Sequence, residues 1–196
     1  MEAYHVIYVK GGLVMEEIKI AVAGEIRSGK DTFSDYIHGN VWGMERLYFA
    51  EGIEKIIREY FPEAFEGNNK PRKYYQDIGQ FMRTINPKVW INYVERKYKR
   101  LQLETPNFIC TDLRQLNEYE WLKANGFTVV KVEADSEIRI ERMKAAGDAF
   151  DMQSLIHPVE LQIRDLPCDY LVTNNDSLEA LKQQADFILN ELRGKR

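Results

Sequence analysis

Residues 18–33 read Ile-Lys-Ile-Ala-Val-Ala-Gly-Glu-Ile-Arg-Ser-Gly-Lys-Asp-Thr-Phe, an apolar run followed by two glycines and a lysine. The run ends at Gly24, four residues follow, and Gly29-Lys30 then opens a segment with a helical pattern. A strand, a glycine-containing turn and a helix in this order let backbone N–H groups and the helix N-terminus face a phosphate. The segment therefore predicts a phosphate-binding loop, in which Lys30 adds a full positive charge.

The two residues after Lys30 bear on magnesium binding. The usual pattern has Ser or Thr directly after the lysine, whereas this chain has Asp31 and only then Thr32. We expect Thr32 to supply the hydroxyl for magnesium and Asp31 to face away, because an inward carboxylate would repel the phosphates. The alternative interpretation of the whole segment is a tight strand-to-helix turn that binds no ligand. The residues predicted to bind ATP in this segment are Gly24, Arg27, Ser28, Gly29, Lys30, Asp31 and Thr32.

The composition is that of an ordinary globular domain of 196 residues, with 44% hydrophobic and 30% charged residues. A net charge of −4 and a pI of 5.5 argue against a nucleic-acid partner. No apolar stretch approaches the roughly 18–20 residues that span a membrane, and no secretory signal is recognisable, so we expect a cytoplasmic protein without membrane contact. The cysteines, Cys110 and Cys168, have no metal-ligand spacing.

Strand and helix patterns alternate from residue 15 to residue 196, which predicts one α/β domain with a parallel sheet flanked by helices on both faces. Residues 1–14 are expected to form either an extra edge strand with a turn at Gly11-Gly12 or a translated upstream extension. After the first loop and helix, the predicted strands are 44–49, 108–111, 127–134 and 170–173. The predicted helices are 51–60, 71–84, 88–101, 116–125, 135–146 and 177–192.

Ligands of open parallel sheets bind beyond the carboxyl ends of the strands, where the predicted loop and two other segments meet. Asp112 ends an apolar strand, a position from which a carboxylate can hold magnesium, and Arg114 can bind phosphate with its planar fork. The alternative for this pair is a helix-capping aspartate beside a surface arginine.

A polar face is predicted on the helix over residues 71–84. Arg72, Gln76, Gly79 and Arg83 recur at spacings of three and four and therefore share one side of that helix. Two arginines, an amide and a gap suit an anionic acceptor, although a solvated surface would look the same. Trp90 is expected in the core rather than on a base.

Arg139 and Arg142 lie on a helix that opens after a strand at Asp135. In phosphoryl-transfer proteins this region often carries a lid whose arginines close over the transferred phosphate. The residues predicted to act in catalysis are Lys30, Asp112, Arg114 and Arg142. Those predicted to bind the acceptor are Arg72, Gln76, Arg83 and Arg114, and those predicted to hold magnesium are Thr32 and Asp112.

Together these segments resemble the phage-type deoxynucleoside monophosphate kinases, a branch of the P-loop kinases. The resemblance rests on an ordered series of motifs over residues 18–190. They are Gly24 through Thr32, the Arg72/Gln76/Gly79/Arg83 face with Pro87 and Trp90 after it, Thr111-Asp112-Leu113-Arg114, His157-Pro158-Val159-Glu160, Asp169, and Asn174-Asn175-Asp176-Ser177-Leu178.

The resemblance implies a three-layer P-loop kinase fold and the ATP- and Mg²⁺-dependent phosphorylation of a nucleoside monophosphate or a similar small phosphorylated acceptor. It implies that Asp112 serves magnesium or the acceptor, that Arg83 and Arg114 bind the acceptor phosphate, and that Asn174-Asn175 flank the adenine of ATP. Two other functions stay open: a kinase of another small acceptor such as dephospho-coenzyme A, and a nucleotide-binding regulatory protein without turnover.

Overall fold

The computed structural model describes residues 7–9, 12–14, 17–66, 71–146 and 158–194. The strands are β1 (Ile7–Val9), β2 (Gly12–Val14), β3 (Lys19–Ala23), β4 (Glu45–Leu47), β5 (Phe108–Leu113), β6 (Thr128–Glu133) and β7 (Tyr170–Thr173). The helices are α1 (Lys30–Asn40), α2 (Glu51–Tyr60), α3 (Arg72–Ile85), α4 (Val89–Leu101), α5 (Leu116–Ala124), α6 (Ser136–Ala145), α7 (Pro158–Asp165) and α8 (Leu178–Gly194). A short 3₁₀ helix covers Pro62–Phe65.

Five parallel strands form the central sheet in the order β4-β5-β3-β6-β7. β3 is the middle strand, and its residues from Ile20 to Ala23 are 0% exposed. A parallel strand covered on both faces requires such a continuous apolar run, which is what the sequence before the loop provides. The predicted α/β class, with a parallel sheet between two layers of helices, is confirmed.

Alternation along β3 divides the core into two layers. Ala21 and Ala23 pack with Trp90 and Val94 of α4 on one face of the sheet. Ile20 and Val22 pack on the other face, against a cluster drawn from α1 and α8 that includes Phe33, Ile37, Leu181 and Ile188. Successive side chains of a strand point to opposite faces, so one short strand anchors both layers.

The strand boundaries differ from the predicted ones at the edge where the loops meet. β4 ends at Leu47 rather than residue 49, because the N–H groups of Phe49 and Ala50 bond to the side chain of Asp112 instead of continuing the sheet. β5 runs to Leu113, two residues beyond the predicted end, since Leu113 is buried and aligns with Ala23 after a register shift.

The N-terminal strands pair with each other rather than with the central sheet. β1 and β2 form a separate antiparallel pair, with Ile7 opposite Val14 and Val9 opposite Gly12. The division of the chain at residue 14 stays a prediction. Among the described residues, no helix combines the length and the apolar character that a membrane crossing needs.

Candidate active site

The segment between β3 and α1 has the backbone of a phosphate-binding loop. Gly29 adopts a left-handed conformation with φ 96°, and Arg27 does so with φ 59°. The turn is closed by Ser28 N–H donating to Glu25 O at 3.1 Å, and Phe33 N–H donates to Gly29 O at 3.0 Å as α1 begins. Alternation of right- and left-handed residues is the conformation in which successive N–H groups form an anion-binding concavity.

Both glycines of the loop are required by close contacts. A Cβ on Gly24 would lie 2.6 Å from Ser28 Oγ and 2.7 Å from Val132 O. A Cβ on Gly29 would lie 2.0 Å from Asn174 Nδ2, and the positive φ disfavours any other residue there. The loop therefore packs against β6 at Gly24 and against Asn174, the residue after β7, at Gly29.

Lys30 and its two neighbours lie at the first turn of α1. Lys30 Nζ is 2.8 Å from Asp31 Oδ1, and the Asp31 side chain is 77% exposed. Thr32 is exposed at the same helix start. Asp31 thus pairs at the helix start, as the sequence predicts, and its partner is the neighbouring Lys30.

The loop residues fit an anionic ligand. Ser28 Oγ is buried and has no hydrogen-bond partner among the described residues, and it lies over Gly24. Buried polar atoms are normally hydrogen-bonded, so this hydroxyl can donate to an incoming oxygen. The N-terminus of α1 adds a partial positive charge beside Lys30.

Asp112 lies near the carboxyl end of β5, and its side chain bonds to the backbone just before α2. Its Oδ1 accepts from Phe49 N–H at 3.0 Å and its Oδ2 accepts from Ala50 N–H at 2.8 Å. Asp112 therefore has a structural role at the start of α2, and its role in holding magnesium stays a prediction. A carboxylate oxygen has two acceptor sites, so both oxygens keep capacity for a further ligand.

Glu118 is the site residue that the sequence analysis missed. It is 2% exposed, and its Oε2 accepts from the N–H groups of Arg114 at 3.0 Å and Gln115 at 3.1 Å. Its Oε1 lies 3.4 Å from Arg83 Nη2. Burial, and secondly the charge of Asp112, raise the pKa of Glu118 to about 7. The spacing Gln115-x-x-Glu118, a capping box, was the available signal.

The predicted polar face of α3 is divided by burial. Arg72 and Gln76 are exposed, whereas Gly79 is buried and Arg83 is partly buried with a side-chain exposure of 22%. The gap at Gly79 is filled by Arg83 and Ile53, because a Cβ there would lie 3.3 Å from Arg83 Nη1 and 3.0 Å from Ile53 Cδ1.

Trp90 belongs to the core, as expected. It is 4% exposed and its Nε1 donates to Gly79 O at 3.2 Å, so its ring is not available to stack on a base.

The arginines of α6 contact the phosphate loop and the residue after β7. Arg142 Nη2 donates to Asn174 O at 2.9 Å, and its Nη1 lies 3.4 Å from Arg27 O. Arg139 donates to Ile26 O and pairs with Glu25. Both arginines bond to backbone groups of these loops, and their closing over the transferred phosphate stays a prediction.

The loop after β7 supports the same region. Asn174 is 7% exposed and its Nδ2 donates to Ser28 O at 2.8 Å. Asn175 Oδ1 accepts from Asp135 N–H at 2.8 Å. Asn174 is thus packed under the phosphate loop, and Asn175 links this segment to the start of α6.

The His157-Pro158-Val159-Glu160 motif of the predicted resemblance includes the first residues of α7. His157 lies outside the described residues, and the side chain of Glu160 is not described. Within the described ranges, no group of three or more His, Cys, Asp or Glu side chains could hold a metal ion by itself. A magnesium site would therefore need oxygens from a bound phosphate in addition to protein groups.

No protein-family model and no curated protein matches this sequence. Solved structures do match it. The Thermus thermophilus protein TT1252 has a TM-score of 0.58 and 23% identity over 92% of this chain and 100% of its own. A sugar kinase from Janibacter has a TM-score of 0.57 and 16% identity, covering 88% of this chain and 94% of that one. Shikimate kinase from Acinetobacter baumannii, in complex with shikimate, has a TM-score of 0.53 and 19% identity, covering 92% and 96%.

This chain has the P-loop kinase fold. That coarser part of the predicted resemblance is confirmed by the matched kinases and by the loop between β3 and α1. At these identities the likeness concerns the fold alone, so membership of the phage-type deoxynucleoside monophosphate kinases stays a prediction.

Proposed function

We propose that this protein is an ATP-dependent phosphotransferase that moves the γ-phosphoryl group to a nucleoside monophosphate or a similar small phosphorylated acceptor. The observation that carries the proposal is the position of two charged sites on neighbouring strands. The phosphate loop follows β3, and the cluster of Asp112, Arg114 and Glu118 with Arg83 follows β5, which pairs with β3 in parallel. The two charged sites therefore lie at one edge of the sheet, which supports a donor site beside an acceptor site.

Each part of the site has a separate task in this mechanism. The loop N–H groups, Ser28 and Lys30 hold the β- and γ-phosphates, and Lys30 neutralises the charge that develops during transfer. Arg83 and Arg114 bind the acceptor phosphate. Magnesium, held by Thr32 and Asp112 together with phosphate oxygens, would neutralise further charge on the triphosphate. Catalysis then depends on positioning and electrostatics, for which no histidine is required.

The closest alternative is a kinase of a different small acceptor. Among the structures of matching fold are a sugar kinase and a shikimate kinase bound to shikimate, so the fold also carries acceptors that are not nucleotides. The presence of two arginines on the acceptor side favours an acceptor that already bears a phosphate.

A panel assay tests the proposal. Purified protein is incubated with ATP, MgCl₂ and single acceptors, and ADP release is measured. The panel contains the nucleoside and deoxynucleoside monophosphates, dephospho-coenzyme A, shikimate and simple sugars. We expect ADP release that depends on a phosphorylated acceptor. Release without any acceptor would identify an ATPase, and the absence of turnover together with ADP binding would identify a regulatory protein.

Two lysine variants serve as a test and a control in this assay. Lys30→Ala should lower turnover by roughly 10³-fold, the scale of losing a main electrostatic contact in the transition state. Lys99→Ala is the matched control, because Lys99 lies on α4 and forms an exposed ion pair with Glu95. Equal activity in the two variants would contradict the assignment of the phosphate loop.

A further inference from the structure

A buried arginine contacts the first residues of the phosphate loop. Arg139, on α6, is 2% exposed and is among the largest fully buried side chains of the described chain. Its Nη1 is 2.7 Å from Glu25 Oε2, and its Nε donates to Ile26 O at 2.9 Å. One guanidinium group therefore binds two successive residues of the loop, one through its side chain and one through its backbone.

The partners of Arg139 distinguish it from an ordinary core residue. A buried guanidinium is stable only when it is paired and hydrogen-bonded, and apolar residues of similar volume often stabilise a fold as well or better. Here the compensating groups all belong to the loop. Arg139 Nη2 is buried without a hydrogen-bond partner among the described residues, so the fold retains this charge although it does not satisfy every donor.

Glu25 would be unfavourable in the loop without this partner. It is the first residue after Gly24, and a free carboxylate there would repel a polyphosphate. Arg139 Nη1 lies 2.7 Å from Glu25 Oε2 and so neutralises this carboxylate. Arg164 of α7 approaches the same carboxylate at 3.0 Å, but its side chain is 51% exposed.

We propose that Arg139 is a positioning residue for nucleotide binding. It fixes the Glu25-Ile26 segment so that the following N–H groups converge on the phosphates, and it keeps the Glu25 carboxylate neutralised. The ligand concerned is a nucleoside di- or triphosphate. The proposal rests on the nucleotide-binding half of the proposed function and is independent of the acceptor.

The test compares two arginines that share one carboxylate. Arg139→Lys keeps the positive charge but cannot bond to Glu25 and Ile26 O with one planar group. Arg164→Gln is the control, because it removes a positive charge beside Glu25 and leaves the bond from Arg139 to Ile26 O in place. Binding of Mg·ADP is measured by calorimetry at a temperature well below the unfolding midpoint of each variant.

We expect Arg139→Lys to raise the dissociation constant of Mg·ADP by about tenfold or more, and Arg164→Gln to change it by less than about threefold. Arg139→Gln serves as a second variant and should weaken binding at least as much as Arg139→Lys. A lower unfolding midpoint with an unchanged dissociation constant would show that Arg139 is only structural and would overturn the proposal.

Hydrogen exchange provides a readout that does not depend on nucleotide. In the ligand-free protein, Arg139→Lys should speed exchange in peptides that cover residues 24–32 and leave those from β4 unchanged. Unchanged exchange in the loop would also overturn the proposal. Failure of the wild-type protein to bind Mg·ADP, by contrast, would refute the proposed function itself, and loop exchange would then decide on the role of Arg139 in loop structure.

Discussion

Arg83 Nη2 lies 3.4 Å from Oε1 of the buried Glu118, which joins α3 to the start of α5. The other oxygen of this carboxylate accepts from the backbone N–H of Arg114. A single acidic residue thus contacts the side chain of one arginine proposed to bind the acceptor and the backbone of the other. The contact links residues that are 31 positions apart in the chain.

We predict that Arg83 and Arg114 affect the acceptor and not ATP. Arg83→Ala or Arg114→Ala should raise the KM for the acceptor by about tenfold or more, because a hydrogen bond to a charged group is lost. The KM for ATP should change little. Lys73→Ala is the control, since Lys73 lies on the same helix as Arg83 and forms an exposed pair with Asp77. Equal weakening of both substrates would assign the arginines to the donor site.

The raised pKa of Glu118 predicts a pH-dependent stability. The folded protein binds the Glu118 proton more tightly than the unfolded chain does, because burial and Asp112 raise its pKa from 4.5 to about 7. The stability contributed by this group is therefore complete below pH 4.5 and is lost as pH rises through 7. Urea unfolding at pH 5, 6, 7 and 8 measures this loss.

Glu118→Gln provides the comparison for that measurement. Its amide oxygen can still accept from the N–H groups at the start of α5, but the side chain no longer titrates. The loss of stability between pH 5 and 8 should therefore be smaller in Glu118→Gln than in the wild-type protein. Glu95→Gln, at an exposed pair with Lys99, should keep the wild-type pH dependence. Parallel pH profiles for the wild type and Glu118→Gln would show that Glu118 does not titrate in this range.

Gly79 is predicted to matter through the space it leaves for Arg83. Gly79→Ala should raise the acceptor KM, because the new Cβ would lie 3.3 Å from Arg83 Nη1 and 3.0 Å from Ile53 Cδ1. Gly39→Ala in α1 is the control, since nothing lies within 4 Å of its Cβ. That control should stabilise the protein by roughly 0.5–1 kcal/mol, the helix preference for Ala over Gly, with no kinetic effect. A similar gain in Gly79→Ala with unchanged kinetics would refute this role for Gly79.

The fold was predictable because its signals are local. Residues 20–23 of β3 form an unbroken apolar run because both faces of the strand are buried there, and the bounds of α2 and β7 follow from patterns within each segment. The boundaries of β4 could not be predicted in the same way. They depend on Asp112, which accepts hydrogen bonds from the N–H groups of Phe49 and Ala50 although it lies 63 and 62 residues further along the chain, respectively.

The candidate site shows the same difference between local signals and long-range contacts. The phosphate loop is one continuous motif, so Gly24, Gly29 and Lys30 could be located from sequence alone. The partners of its neighbours could not. Arg139 reaches Ile26 across 113 residues, and Asn174 reaches Ser28 across 146. No periodicity within α6 indicates which backbone groups its arginines contact, because those contacts depend on tertiary packing.

The last prediction concerns magnesium and the Lys30–Asp31 pair. Asp31 is exposed, and its Oδ1 lies 2.8 Å from Lys30 Nζ. Asp31→Ser should therefore be tolerated and should free the lysine for the phosphates. Thr32→Ala should raise the magnesium concentration needed for half-maximal rate, because the variant loses the hydroxyl proposed to hold the ion. Asp112→Asn should do the same and should also cost about 1–3 kcal/mol of stability, since an amide keeps one acceptor oxygen and leaves the N–H of Phe49 or Ala50 without its partner. Magnesium titrations at saturating ATP separate these effects from changes in nucleotide affinity. Loss of activity in Asp31→Ser with an unchanged magnesium requirement in Thr32→Ala would reverse the roles of these two neighbours, and Asp31 would then be the ligand.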